Sequence, residues 1–384
     1  MKIGIICSYP IPMGMAATTR IFAYSKSLAQ NNDVTVASMI CRSDSKDATD
    51  GVFHNVKFTY LNKAVRSNNQ FRRIANFAKS FLRLPSFLSH EQFDYIIVSS
   101  DHLYLLGYIA LINIILRKKL IFIFDEFPIP IRKKLKNQLP AWKQFSYKII
   151  LKGYDGYISM TKTLLEFYQK IHYNPGVIVS SITDTTRFDR SDSETLFCEK
   201  FNITYTGNME LAKDNIDNIL RAIALLSDKR NFHLYLYGRP SETDLKKIKD
   251  TIAENALEEF VTLSAVSYNE IPAILAKSSI LVSSQPDTKR AMGGFPTKLG
   301  EYLMAGKPVL LTRVGEIDQY FKDHIHVYFA NPDDPKDFAL KLEYIMDNYT
   351  QALTVANAGR QLIIDNYSHI SAGEKIISFL KSIK

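Results

Sequence analysis

The stretch Gly293-Gly-Phe-Pro-Thr-Lys-Leu-Gly-Glu-Tyr-Leu-Met-Ala-Gly-Lys-Pro-Val309 decides how this chain is read. Its pattern is loop, helix, tight turn, strand. Gly293, Gly294 and Pro296 sit poorly inside a helix or a central strand, so they predict an irregular loop. Thr297 is the expected N-cap, and Leu299, Tyr302 and Leu303 follow at helical spacing. Gly306 is placed to close that helix in the left-handed conformation, and Pro308 prevents its continuation. Val309-Leu-Leu-Thr312 then reads as a short buried strand. A glycine-rich loop feeding a helix N-terminus offers backbone N–H groups and the positive end of a dipole to an anion. Glu301, one turn in, is placed to bind hydroxyls beside that anion. Phosphate and hydroxyls together point to a nucleotide sugar.

Outward from this stretch, the pattern of strand, loop and helix repeats along the chain. Toward the N-terminus, Lys2-Ile-Gly-Ile-Ile-Cys-Ser8 is a buried strand. A loop with Gly14 near its tip runs to Arg20, a helix from about Ala17 to Gln30 overlaps its end, and Asp33-Val-Thr-Val-Ala37 is the next strand. This βαβ order predicts a parallel, doubly wound sheet. Gly14 alone is not a dinucleotide-binding fingerprint. Residues 42–50 read as loop, and Val56–Tyr60, Phe93–Ser100 and Lys119–Phe124 as strands. The last two end in Asp101-His102 and Asp125-Glu126, at the carboxyl edge where open α/β sheets bind ligands. A carboxylate there is suited to holding or deprotonating an acceptor hydroxyl. It is equally suited to pairing with Arg132, Lys133 or Lys134. Gly176–Ser180 reads as the last strand of the first half. In the second half, strands at Phe201–Gly207, Phe232–Gly238, Phe260–Ser267 and Ser279–Ser283 precede the opening stretch, and helices over 334–348 and 352–367 follow it.

A chain of 384 residues with 46% hydrophobic and 12% aromatic content has room for two ordinary domains with sizeable cores. Three cysteines, Cys7, Cys41 and Cys198, lie far apart without metal-like spacing and suit a reducing compartment. The apolar start is too short for a signal peptide, and the run 103–116 is too short to span a bilayer. A cytoplasmic protein is the expectation. Residues 1–190 hold 26 basic and 13 acidic side chains, against 22 and 26 in the remainder, so the first half is the basic one. No nucleic-acid-binding signature accompanies that charge, which argues against nucleic acid as a partner. Residues 62–89 interleave Lys63, Arg66, Arg72, Arg73, Lys79 and Arg83 with Phe71, Ile74, Phe77, Phe81 and Leu82. Such a basic amphipathic segment suits either an anionic membrane surface or a helix packed on the core with its cations in water.

Pro296 to Val309 resembles the donor-binding segment of GT-B glycosyltransferases, specifically the retaining glycosyltransferase family 4 (glycosyl transferases group 1). The resemblance implies two Rossmann-like domains facing a cleft: 1–188 binding the acceptor, 189–365 binding the nucleotide sugar, and a C-terminal helix, 366–384, returning to the first. Residues 189–196 make the linker, and Asp184-Thr-Thr-Arg-Phe188 resembles the family's segment at the crossover. The family carries glutamates at the positions of 293 and 301; Glu301 matches and Gly293 does not. It also places Gly-Arg after a strand and a lysine six residues beyond that glycine, together clamping the diphosphate. Gly207 and Lys213 match, but Asn208 replaces the arginine. By the same resemblance, Gly14 faces the donor phosphates, Gly238 closes a neighbouring turn, and Ala265 or Val266 presents backbone groups to the nucleobase. Gly294, Phe295, Pro296, Thr297, Lys298 and Leu299 surround the donor, and Arg20, His102, Asp125 and Glu126 lie on the acceptor side. Asp125, Glu126 and Lys213 are the candidate catalytic residues.

The implied reaction moves a sugar, hexosyl or N-acetylhexosaminyl, from a nucleoside-diphosphate donor such as a UDP-sugar to a glycan or lipid-linked acceptor in surface polysaccharide synthesis. It needs neither metal nor cofactor, and retention needs no protein nucleophile. Without a glutamate at 293, either the Gly-Gly-Phe-Pro backbone contacts the transferred sugar or that sugar differs, as a deoxy or N-acetylamino sugar would. The rival readings are a GT-B sugar-nucleotide epimerase and a non-catalytic sugar-nucleotide or glycan binding protein.

Overall fold

The computed structural model describes residues 1–12, 16–44, 46–132, 138–180, 183–188, 200–226 and 231–383. Two units emerge: Met1–Ile182 with His369–Lys384, and Thr183–Ser368. Gly14, the linker candidate 189–196, and Lys133 and Lys134 lie outside the described residues.

The first unit is built on strands β1 (Lys2–Cys7), β2 (Asp33–Ser38), β3 (Asp50–Phe53), β4 (Val56–Tyr60), β5 (Tyr95–Ser99), β6 (Lys119–Phe124), β7 (Gly156–Ser159) and β8 (Gly176–Ile178). Their order is β3-β4-β2-β1-β5-β6-β7-β8. All pairs are parallel except β3 with β4, which is antiparallel. Ile5 lies level with Val36 on one side and Ile97 on the other. Helices cover both faces, so the central strands are apolar along their whole length rather than alternating. The C-terminal helix His369–Ser382 belongs to this unit and packs on the helix Ala16–Leu28.

The second unit carries β9 (Phe201–Thr206), β10 (Phe232–Tyr237), β11 (Val261–Ser264), β12 (Ile280–Ser283), β13 (Val309–Thr312) and β14 (Tyr328–Ala330). The order is β11-β10-β9-β12-β13-β14, all parallel. Its core gathers Ile203, Tyr205, Leu234, Val282 and Leu310 from the sheet with Ile219, Ile223 and Leu342 from the helices. Strand order reverses between β1 and β5 in the first sheet and between β9 and β12 in the second. At such switch points, loops diverge to opposite faces and leave a crevice at the carboxyl ends.

Some elements depart from the sequence reading. Residues 50–53, at the end of an expected loop, form the mostly exposed edge strand β3. The amphipathic segment becomes helical only from Gln70 to Glu91, because Asn69 caps it by accepting from the Arg72 N–H. Residues 183–188 fall in the second unit, so the crossover segment belongs to it rather than to the first.

Candidate active site

At the second switch point β9 ends and the chain turns at Gly207. Its φ is +154°, and a Cβ there would lie 2.5 Å from the Tyr205 hydroxyl and 2.6 Å from Lys298 Nζ. Gly238, just after β10, nests against this turn so tightly that a Cβ would sit 1.7 Å from the Gly207 oxygen. Neither position has space for a side chain. Asn208, beside the turn, is exposed.

The glycine-rich loop is more ordered than its composition implies. Thr288 caps a short helix, Lys289–Gly293, by accepting from the Ala291 N–H. Gly293 is therefore the last residue of a helix and is buried, not part of an open loop. In the following helix, Thr297–Met304, Thr297 is the first helical residue and Pro296 holds the N-cap position, with no side-chain capping bond. Pro296 replaces a hydrogen-bonding cap by presetting the backbone at φ −67°. Tyr302 anchors this helix to β9 by accepting from the Thr206 N–H at 2.7 Å. Phe295 and Leu299 are buried. Phe295 packs edge-on to Tyr320, so both residues hold the loop and helix rather than presenting side chains to a ligand.

Lys298 reaches from the first turn of this helix to the switch point. Its Nζ lies 2.9 Å from Asp214 Oδ1 and donates to the Tyr205 hydroxyl at 2.7 Å. The two charged side chains are only 17% and 5% exposed. Burial pulls the Lys298 ammonium below its usual value against the upward pull of Asp214. Burial pushes the Asp214 carboxyl up, but the Lys298 charge and hydrogen bond override it, and the group ends below the ordinary carboxylate range. Lys213, in the short helix Leu211–Asp214, is half-buried, and its charge acts on both members of the pair.

Glu301 projects one turn beyond Lys298. It pairs with Arg187 from the crossover turn Thr185–Phe188. Arg187 also donates from Nη2 to the Tyr268 carbonyl at 2.8 Å, and its guanidinium carbon lies 3.6 Å from the centre of the Tyr268 ring. Burial pushes the Glu301 carboxyl up and Arg187 opposes the rise. Tyr268 follows the segment of Ala265, which is exposed, and Val266, which is half-buried, at the end of β11. The structure thus brings together Gly207, Gly238, Lys213, Lys298 and Glu301. It adds Tyr205, Asp214, Arg187 and Tyr268, which were not singled out as ligand-site residues. An arginine beside an aromatic in the crossover motif was the visible signal for Arg187; Asp214 stood next to a residue that was chosen.

A second cluster lies at the first switch point. Ser8 and Ser100, just past β1 and β5, share a hydrogen bond of 3.0 Å. Asp125 directly follows β6 with Oδ1 3.1 Å from Arg20 Nε, yet that oxygen receives no aligned hydrogen bond among the described residues. Burial raises the Asp125 carboxyl; Arg20 opposes this and Asp101 adds to it. Arg20, expected to face an acceptor, is turned inward: it donates to the Tyr24 hydroxyl and the Val179 carbonyl, both at 2.7 Å. Glu126 is engaged by Arg132, which also pairs with Asp101. His102 precedes the helix Leu103–Leu116, with its ring stacked on Tyr104 at 5.1 Å.

Two doubly wound parallel-sheet units, each with polar groups at its switch point, define the GT-B class, and the solved structures agree. HepE from Anabaena, solved with UDP and glucose, is 14% identical over 100% of both chains, with a TM-score of 0.74. Sucrose-phosphate synthase from Thermosynechococcus elongatus is 13% identical over 99% of this chain and 98% of its own, with a TM-score of 0.78. Residues 200–348 match the family model described as Glycosyl transferases group 1. An uncharacterized glycosyltransferase of Methanocaldococcus jannaschii is 26% identical over 116 residues, 30% of this chain and 32% of that protein, so the match spans about a third of its length. The chain thus has the GT-B fold of these structures, and residues 200–348 of its second unit resemble the group 1 glycosyl transferases.

Proposed function

We propose that the protein transfers a hexosyl or N-acetylhexosaminyl residue from a nucleoside-diphosphate sugar to a glycan or lipid-linked acceptor, with retention of configuration and without a metal. The observation that carries this reading is the buried Lys298 ammonium beside Gly207 at the second switch point, one helical turn from the Glu301 carboxylate. A desolvated cation stabilises charge developing on a leaving diphosphate more strongly than one in water. Lys213 and the first-turn N–H groups at Thr297 and Lys298 add to it. Glu301 accepts the ribose hydroxyls, and the segment from Ala265 to Tyr268 meets the base. UDP is the first nucleotide to try, because HepE was solved with it. On the first unit, Asp125 is the better group to take an acceptor proton: both it and Glu126 face an arginine, but burial raises the Asp125 carboxyl and its Oδ1 receives no aligned hydrogen bond among the described residues.

A peripheral site at the inner face of the cytoplasmic membrane, in surface glycan synthesis, fits the first unit. Phe71, Ile74 and Leu82 on the helix Gln70–Glu91 are exposed among Arg72, Arg73, Lys79 and Arg83. The helix Leu103–Leu116 touches it through Phe77 and Tyr104 and exposes Leu111, Ile114 and Ile115. The helix Ala141–Leu151, in contact with the latter, exposes Trp142, Phe145 and Ile149. This mixture of cations and large apolar side chains matches the chemistry of an anionic bilayer surface. Among the described residues, no helix is long and apolar enough to cross a membrane. The test is a panel of nucleotide sugars, with nucleotide release followed with and without lipid extract; release that depends on the extract supports transfer. Gly293 and Asn208, which lack the expected ligand side chains, favour a second reading as a donor-binding protein; it predicts nucleotide binding with no release under any condition.

A further inference from the structure

This inference rests on the donor reading above and concerns Arg187. The guanidinium is held from three directions: Nη1 on Glu301 Oε1, Nη2 on the Tyr268 carbonyl, and one face on the Tyr268 ring. Only a planar fork satisfies all three, which a lysine does not provide. Glu301 Oε2 accepts no hydrogen bond among the described residues, and the pair is largely desolvated, with side chains 21% and 16% exposed. We propose that Arg187 is a positioning residue: it pins one oxygen of Glu301 so that the other is presented to the ribose hydroxyls of a nucleoside diphosphate, which makes the site selective for ribose over 2′-deoxyribose.

Two physical consequences support this. A glutamate side chain free to rotate loses entropy when it grips a hydroxyl, and a pinned one has already lost it. A bare carboxylate beside a diphosphate would also repel it, whereas the Arg187–Glu301 pair, like Lys298 with Asp214, is neutral overall and leaves the charge of Lys213 unopposed by Glu301. The groups around Glu301 are few. Arg187 and Tyr268 come from other segments. Tyr302 is the next residue on its own helix, with its hydroxyl committed to Thr206. Lys298 lies one turn earlier and is bonded to Asp214 and Tyr205. Arg187 is therefore the cation that governs the Glu301 proton.

The experiment is calorimetric titration of the full chain with UDP and with 2′-deoxy-UDP across mildly acidic to neutral pH, for the wild type, Arg187→Ala, Arg187→Gln and Arg187→Lys. The wild type should prefer UDP. Arg187→Ala should weaken UDP roughly tenfold to hundredfold, the scale of a hydrogen bond to a charged group. It should also bring the two ligands to near-equal affinity. Without the cation the Glu301 carboxyl rises, so binding in the variant should fail on acidification at a higher pH than in the wild type. Arg187→Lys should recover part of the pH profile but little of the ribose preference. Arg187→Gln keeps the test available should the alanine variant not fold. Weakened binding with an unchanged ribose preference and pH profile would overturn the inference, as would tighter UDP binding, which would make Arg187 a plug. A wild type that binds no nucleotide would instead overturn the donor reading itself.

Discussion

Lys298→Met keeps the apolar stem and removes the ammonium. Asp214 is then left 5% exposed with its nearest cation gone, retaining only the field of Lys213. Breaking one side of a buried ion pair costs about 3–5 kcal/mol, because the surviving charge stays desolvated. At about 1.4 kcal/mol per tenfold, this is two to nearly four decades in the opening equilibrium of the second unit. Amide exchange along β9, Phe201–Thr206, reads that equilibrium in the intact protein. The sign of the pH effect is also determined. In the wild type, Asp214 is depressed, so the stabilisation from the pair is present above the unfolded carboxyl pKa and is lost as pH falls through the folded one. In the variant, the unpaired buried carboxyl rises, so its penalty is full at neutral pH and is relieved by acidification. The double variant Lys298→Met with Asp214→Leu replaces the pair by apolar groups and should recover most of the stability but none of the nucleotide affinity. Unaltered exchange in the single variant, or nucleotide affinity restored in the double one, would refute the reasoning.

The remaining predictions use the same geometry. Gly207→Ala strains a backbone at φ +154° and drives a methyl toward Lys298 Nζ; a loss of about 1–3 kcal/mol and of most nucleotide affinity should appear in denaturant melts and titrations. Gly238→Ala, with its Cβ against the Gly207 oxygen, should destabilise the second unit more than Gly207→Ala by the same measurement. Arg20→Met leaves Asp125 unpaired and should cost about 3 kcal/mol at neutral pH and less on acidification, read by exchange along β6. Charge substitutions Phe71→Glu and Ile115→Glu should abolish binding to anionic vesicles while leaving UDP titration unchanged.

The sheets were legible where burial on both faces imposes a continuous apolar run, as in Lys2–Cys7, Lys119–Phe124 and Val309–Thr312. Strand β3 was not, because three of its four residues are exposed and it has no apolar signal. Strand β14 was missed because three residues are too few for a period. Loop chemistry misled at two points. Thr297 carries a capping side chain that the preceding proline makes unnecessary, and Gly293 closes a helix started by Thr288, out of view of the motif. Of the candidate site, Glu301 could be placed from its position one turn into the helix, and Lys298 from the resemblance. Their partners could not: Arg187 reaches Glu301 across 114 residues of chain and Asp214 reaches Lys298 across 84. Such pairings are products of the strand order, which brings the ends of β9 and β11 and the helix after the glycine loop to one edge of the sheet.

The most direct test of the account is nucleotide release from a UDP-sugar panel by the wild-type protein, by Lys298→Met/Asp214→Leu and by Glu301→Gln, in the presence of lipid extract. The account predicts acceptor-dependent release of UDP with a glycosylated product from the wild type, and release reduced by orders of magnitude in both variants. Release that persists in both would contradict it, as would a wild type that binds and turns over no nucleotide sugar.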